Sequence, residues 1–205
     1  IPVPPILPYF NIGTFGALIS SRDPMPNKKA LFDVGLAGPL AGFLVAIPVT
    51  IIGIMTAEVV PEITSIEQLA PGETVFGSSL LIQGLLAFRN LPAGYTIDMN
   101  PILFAGWVSL LITSLNLLPA GQLDGGHIFR AFLGDKQKYA GWAAVIFMIF
   151  TGWWFFAFFI IFAIGMAHPP PLNDSTKLDL KRQLLFIVAV LILILCFIPF
   201  PFYVN

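Results

Sequence analysis

Hydrophobic residues cluster in five runs, 30–57, 77–88, 101–118, 139–166 and 183–198, separated by connections rich in Pro, Gly and charge. An upright crossing of about 30 Å of hydrocarbon takes about 20 apolar residues in a helix. The runs 30–57 and 101–118 read as full spans, and 183–198, ended by Pro199 and Pro201, as a last one. The run 77–88 is too short to cross and reads as an interfacial or re-entrant segment. The run 139–166 is about 40 Å long if wholly helical, too long for one upright crossing and too short for two. A tilted helix and a hairpin at Gly152 both satisfy it.

The connections refine this outline. Pro2, Pro4, Pro5 and Pro8 forbid a helix at the start, and Thr14-Phe15-Gly16-Ala17-Leu18-Ile19 reads as a short strand-like stretch, so 1–29 is expected to form an extended or hairpin segment at the membrane edge. Asn27 is placed to cap the helix that follows. Gly38-Pro39-Leu40-Ala41-Gly42 spaces small residues so that another helix can approach closely. Asp33 reads as a solvated or capped carboxylate at the helix entrance. Residues 58–76 carry Glu58, Glu62, Glu67 and Glu73 without Lys or Arg, whereas Lys28, Lys29, Arg130, Lys136 and Lys138 fall on the opposite side of the first two spans. The basic side is then cytoplasmic. Lys177, Lys181 and Arg182 belong on that side too only if 139–166 is a hairpin.

Composition agrees with the pattern. The chain is 57% hydrophobic and 10% charged, with a mean hydropathy of +0.88. The fold class expected is an all-α polytopic membrane protein of about four or five transmembrane helices, forming one embedded domain over 1–205 in contact with the lipid bilayer. Its parts are the edge segment 1–29, a span at 30–57, an acidic loop and re-entrant segment at 58–100, a span with its following motif at 101–138, and C-terminal spans over 139–205. A net charge of −1 gives no basic footprint, so no nucleic-acid partner is expected. Cys196 alone can form neither an internal disulfide nor a cysteine-based zinc site. The chain opens at Ile1 and reads as a piece of something longer.

The chemistry concentrates at the end of the second span, in Asn116-Leu117-Leu118-Pro119-Ala120-Gly121-Gln122-Leu123-Asp124-Gly125-Gly126. A carboxylate at membrane depth is costly unless paired, hydrated or bound to a metal, so Asp124 is a functional candidate. Pro119, Gly121 and the Gly125-Gly126 pair make 116–124 a broken helix, tolerated at depth only where protein or a watery cavity satisfies its backbone. The two glycines permit unusual backbone geometry and keep bulk away from the carboxylate. On residues alone, Asp124 is a structural cap, a proton-relay group or a metal ligand.

Asn116-Leu117-Leu118-Pro119 followed by Leu123-Asp124-Gly125-Gly126 resembles the second signature of the site-2 protease family of intramembrane zinc metalloproteases. Pro8-Tyr9-Phe10, Gly13-Thr14-Phe15-Gly16-Ala17, the stretch from Arg22 to Asp33, Ala37-Gly38-Pro39, Ala105-Gly106-Trp107 and His168-Pro169-Pro170-Pro171 extend the likeness, toward the prokaryotic and plastid-type branch. The resemblance implies an integral membrane enzyme of a prokaryotic plasma membrane or a plastid membrane that cleaves transmembrane protein substrates. It implies Zn2+ held by two His of an H-E-x-x-H helix and by Asp124 as third protein ligand, with the Glu as general base. Three protein ligands leave a position for water and lower its pKa toward about 7. Asn116 then steadies the substrate or the oxyanion. Gly13, Thr14, Phe15 and Gly16 are placed to bind unwound substrate as an added strand; a membrane-surface hairpin is the other reading.

The sequence departs from that pattern in one major respect. It contains no H-E-x-x-H, and its two histidines are His127 and His168. In the family the motif precedes the segment that matches Pro8-Tyr9-Phe10, so the resemblance places it upstream of Ile1. His127 is expected to face solvent or headgroups, and His168 to be a loop residue. Gly42 stands where many relatives carry Asn. A non-catalytic relative that binds membrane clients, or a transporter using Asp124 as an ion site, are the rival readings.

Overall fold

The computed structural model describes residues 25–62 and 74–204. The first helix, α1 (Lys28–Thr56), starts where Asn27 accepts a hydrogen bond from the Ala30 amide at 3.0 Å and runs through Pro39 and Pro48 without a break. It is the one described helix both long and apolar enough to cross a membrane. Three short strands and a short helix follow: β1 (Val59–Pro61), β2 (Thr74–Phe76), α2 (Leu80–Ala87) and β3 (Tyr95–Ile97). Next come α3 (Pro101–Asn116), α4 (Asp124–Leu133), a 3-10 turn at Gly134–Lys136, α5 (Gln137–Phe150) and α6 (Trp154–Phe159), which is prolonged by a π-helical turn at Ile160–Ile164. The last elements are α7 (Leu180–Cys196) and β4 (Phe202–Val204).

The strands correct the all-helical expectation. β1 pairs antiparallel with β3 and β2 with β4, with Val60 opposite Thr96 and Val75 opposite Tyr203. Three-residue strands are too short to display an alternating pattern, so the segment 58–100 reads as loop in the sequence. The expected re-entrant segment is α2, whose eight residues cannot cross a bilayer. The strand-like stretch containing Gly13, Thr14, Phe15 and Gly16 lies outside the described residues.

Polar contacts assign each helix end to one of two sides. On one side Lys28 pairs with Asp174 at 3.3 Å, and Arg182 pairs with Asp33 at 2.6 Å and also with Asp179. Leu172 and Asn173 donate backbone hydrogen bonds to Met25 and Pro26 there. On the other side Asn100 donates to the Gly53 carbonyl at 3.0 Å, and the Trp153 indole donates to Ile198 at 2.8 Å. Each of α1, α5 and α7 therefore runs from the first side to the second, and α3 and α6 run back. The run 139–166 is a hairpin, turned at Thr151–Trp153 where Gly152 adopts φ +79; that backbone conformation is left-handed and favours glycine. The hairpin returns Lys177, Lys181 and Arg182 to the side of Lys28. Asp33 is exposed, as expected, and is also ion-paired with Arg182.

The core is built on α1. Gly35, Gly42, Ala46, Thr50 and Gly53 follow helical spacing, and a Cβ on Gly53 would lie 2.5 Å from the Leu103 backbone. A Cβ on Gly106 would lie 2.5 Å from the Thr50 hydroxyl, and one on Gly42 3.3 Å from the Thr113 hydroxyl. Gly42 thus serves packing against α3. The outward positions of the helices are apolar and exposed: Leu44, Val45 and Ile52 on α1, Phe147 and Phe150 on α5, Ile187, Leu191 and Ile194 on α7. An apolar surface of that extent is suited to lipid rather than water.

Gly53→Ala is expected to push α3 off α1 and destabilise the domain by about 1–3 kcal/mol. Gly84→Ala, whose Cβ would meet nothing within 4 Å, is expected to be neutral or stabilising by about 0.5–1 kcal/mol. Thermal unfolding of the two variants in detergent distinguishes them.

Candidate metal centre around Asp124

The chain leaves α3 at Asn116, turns through 117–123 and re-enters helix at Asp124, the first residue of α4. That is the broken helix expected. A carboxylate in this position faces the positive end of the helix dipole. Asp124 is half-buried. Among the described residues its side chain makes no hydrogen bond and no ion pair. A Cβ on Gly38 would lie 3.4 Å from Asp124 Oδ2, so an exposed glycine of α1 leaves the approach to the carboxylate open.

The glycine pair acts by close contact. Gly125 and Gly126 lie within α4, and a Cβ on Gly125 would sit 2.0 Å from the Leu117 carbonyl oxygen, one on Gly126 2.1 Å from that of Gly121. Both let the 117–121 turn lie directly on the helix, in ordinary helical geometry and not in the unusual one expected of them. The residue in left-handed geometry is Gly121, with φ +46, pressed against the Gly165 carbonyl. Asn116 ends α3 half-buried, with a side chain that makes no hydrogen bond among the described residues. The motif therefore brings Asn116 and Asp124 to the two ends of one compact turn.

Three features of the surroundings were not legible in the motif. Gln137, 1% exposed, donates to the carbonyls of Pro119 at 2.7 Å and Met166 at 3.1 Å, and accepts from the His168 amide at 3.2 Å. One buried amide thus joins the Asp124 turn to the end of the α5–α6 hairpin. Arg130, 2% exposed, pairs with Asp135 at 2.7 Å and with Asp174 at 3.0 Å, tying α4 to the loop that also holds Lys28. His127 lies one turn beyond Asp124 with its ring centroid 4.4 Å from that of His168. Both residues are half-buried, so His127 is not simply solvent-facing, while His168 lies in a loop as expected. The His127 Nδ1 lies 2.9 Å from the Leu123 carbonyl oxygen, and His168 Nδ1 lies 2.6 Å from that of Pro169.

A family profile described as "Peptidase family M50" matches residues 6–155. The chain belongs to peptidase family M50. Similar curated proteins include "Probable zinc metalloprotease EGY2, chloroplastic" of Arabidopsis thaliana, 32% identical over 98% of this chain and 37% of that protein. Another is "Probable zinc metalloprotease EGY1, chloroplastic" of Oryza sativa subsp. japonica, 27% identical over 96% of this chain and 35% of that protein. The chain thus spans little more than a third of the length of these relatives. No solved structure matches.

The M50 relatives' names carry zinc, and Asp124 offers an unspent carboxylate of the kind zinc accepts. No group of three or more His, Cys, Asp or Glu able to hold a metal exists among the described residues. The described side chains therefore do not complete a zinc site.

Gln137→Leu leaves one buried and two part-buried backbone groups without a partner and is expected to cost about 2–3 kcal/mol, read as a lower unfolding midpoint with faster hydrogen exchange at 119–124. Burial is the main cause that pushes the His168 imidazole down from 6.5 to about 4, with His127 and Arg130 adding to it and the Pro169 carbonyl opposing. Between those pH values the unfolded chain binds the proton and the folded one does not, so stability is lost as pH falls through the window. His168→Gln is expected to flatten that slope relative to the parent, in thermal unfolding followed from neutral pH down to about 4.

Proposed function

We propose that this chain forms the membrane core of a multi-pass intramembrane zinc metalloendopeptidase that cleaves transmembrane segments of other proteins. Asp124 is the third protein ligand, and two His and a general-base Glu come from sequence outside these 205 residues. The observation that carries this reading is the Asp124 carboxylate: half-buried, unpaired among the described residues, and open toward Gly38 at a turn braced from three directions. A structural cap would spend its oxygens on nearby amides, and the amides of α4's first turn receive none of them. When bound, zinc supplies an activated water and a Lewis acid. Asn116, at the other end of the turn, orients the substrate or the oxyanion.

On this reading α3, α7 and the α5–α6 hairpin join α1, the one described helix long and apolar enough to cross by itself, in a multi-pass bundle. The excess of Lys and Arg on the side carrying Lys28, Arg130 and Arg182 supports reading it as cytoplasmic, or as its plastid equivalent. A peptide bond inside a helix is shielded from water, so the substrate must unwind, and the stretch holding Gly13, Thr14, Phe15 and Gly16 receives it as an added strand.

The test uses the full-length parent protein, with zinc content by elemental analysis and cleavage of a model transmembrane peptide. Asp124→Ala is expected to lower zinc occupancy from about one per chain and abolish cleavage. Asn116→Ala should retain zinc and lose about 10²–10³ in rate. Thr14→Pro should retain zinc and impair cleavage. An intact wild-type protein that neither binds zinc nor cleaves the peptide would instead be a non-catalytic binder of membrane clients.

A further inference from the structure

At the opposite end of α1 from Asp124, between its last turns and the short helix α2, lies a slot of about 490 Å³ lined by Ile51, Ile54, Met55, Leu85, Phe88 and Arg89. That volume falls within the range of about 300–1,000 Å³ common for small-molecule sites. Its walls are aliphatic and aromatic, and its rim is open: Phe88 is 85% exposed and Met55 72%. Met55 at the end of α1 and Phe88 just after α2, both large, apolar and left outward, need a partner less polar than water.

Arg89 sets the chemistry of the opening. Its guanidinium donates to the Ile54 carbonyl and, at 2.7 Å, to that of Ala57, so it caps the C-terminal end of α1. These bonds hold the group in place with N–H donors to spare. Among the described residues no carboxylate pairs with it, although Glu58, Glu62 and Asp98 belong to the same side of the molecule. It is also the one cationic side chain among the described residues on that side, since Lys28, Lys29, Arg130, Lys136, Lys138, Lys177, Lys181 and Arg182 belong to the other. A half-buried cation without an anion, at the mouth of an apolar slot, calls for a ligand that is anionic at one end and hydrocarbon at the other.

We propose that the slot between α1 and α2 holds one membrane phospholipid, with its phosphate on Arg89 and an acyl chain on Ile51, Ile54, Leu85 and Phe88. This rests on the membrane placement of α1 and is independent of the zinc chemistry. The short α2, unable to cross the bilayer, then forms the outer wall of a lipid seat at the interface.

The test places the full-length protein in phosphatidylcholine nanodiscs containing a small fraction of phosphatidylglycerol with a photoreactive acyl chain, and maps adducts by mass spectrometry. Adducts are expected to concentrate at 51–55 and 85–89. Leu85→Trp, which fills the slot without touching Arg89, should reduce them by about tenfold, and Arg89→Gln should do the same through loss of the charge-assisted contact. If Arg89→Gln fails to fold, Leu85→Trp still decides. Adducts spread evenly over Leu44, Val45 and Ile187, unchanged by Leu85→Trp, would overturn the seat while leaving the membrane placement standing. Absence of adducts anywhere on α1 would overturn both.

Discussion

Close approach of α3 and α4 to α1 is the constraint on which the other contacts depend. At Gly35 a Cβ would come within 2.7 Å of the Asp124 carbonyl oxygen and of His127 Cβ, and at Gly53 and Gly106 the clash would be 2.5 Å. In lipid, where apolar side chains gain little from leaving their surroundings, such contact is what holds helices together. One face of α1 therefore carries glycine, alanine and threonine, while its other faces carry the large residues that meet lipid. The same contact sets the height of Asp124, because the start of α4 can reach that level of α1 only where glycines face it.

The Asp124 turn shows how irregular backbone survives in such a setting. Its carbonyls at Leu117 and Gly121 lie against Gly125 and Gly126, and the Pro119 carbonyl is satisfied by Gln137. Gln137 spends its remaining capacity on Met166 and His168, so the hairpin that follows is locked to the turn. Arg130 extends the bracing outward through Asp174 to Lys28 at the foot of α1. A buried arginine is costly unless its charges are met, and here the carboxylates of Asp135 and Asp174 meet it. The outcome is a rigid frame around a single carboxylate that none of these groups consumes.

Membership of family M50 gives that frame its meaning, since the relatives are named as zinc metalloproteases. A metal ligand must be held firmly by its surroundings and yet be left unpaired. Asp124 meets both conditions among the described residues. The two ends of α1 differ in chemistry: the end at Lys28 lies among ion pairs, and the other end, with α2 and Arg89, carries exposed apolar side chains.

Local chemistry made much of this legible in the sequence. Asn27 before an apolar run marks a helix start, and the 116–126 motif announces a broken helix with a carboxylate at its end. These signals are short in range and depend on neighbouring residues alone. The hairpin at Gly152 was one of two options until the Trp153 indole met Ile198 and the end of the hairpin met Gln137. The four strands were invisible because their pairing joins segments far apart, as when Thr74–Phe76 meets Phe202–Val204. Gln137, Arg130 and the His127–His168 contact were missed for the same reason. A polar residue in an apolar run declares only that it needs partners, and distant backbone, brought near by the packing on α1, decided which partners those are.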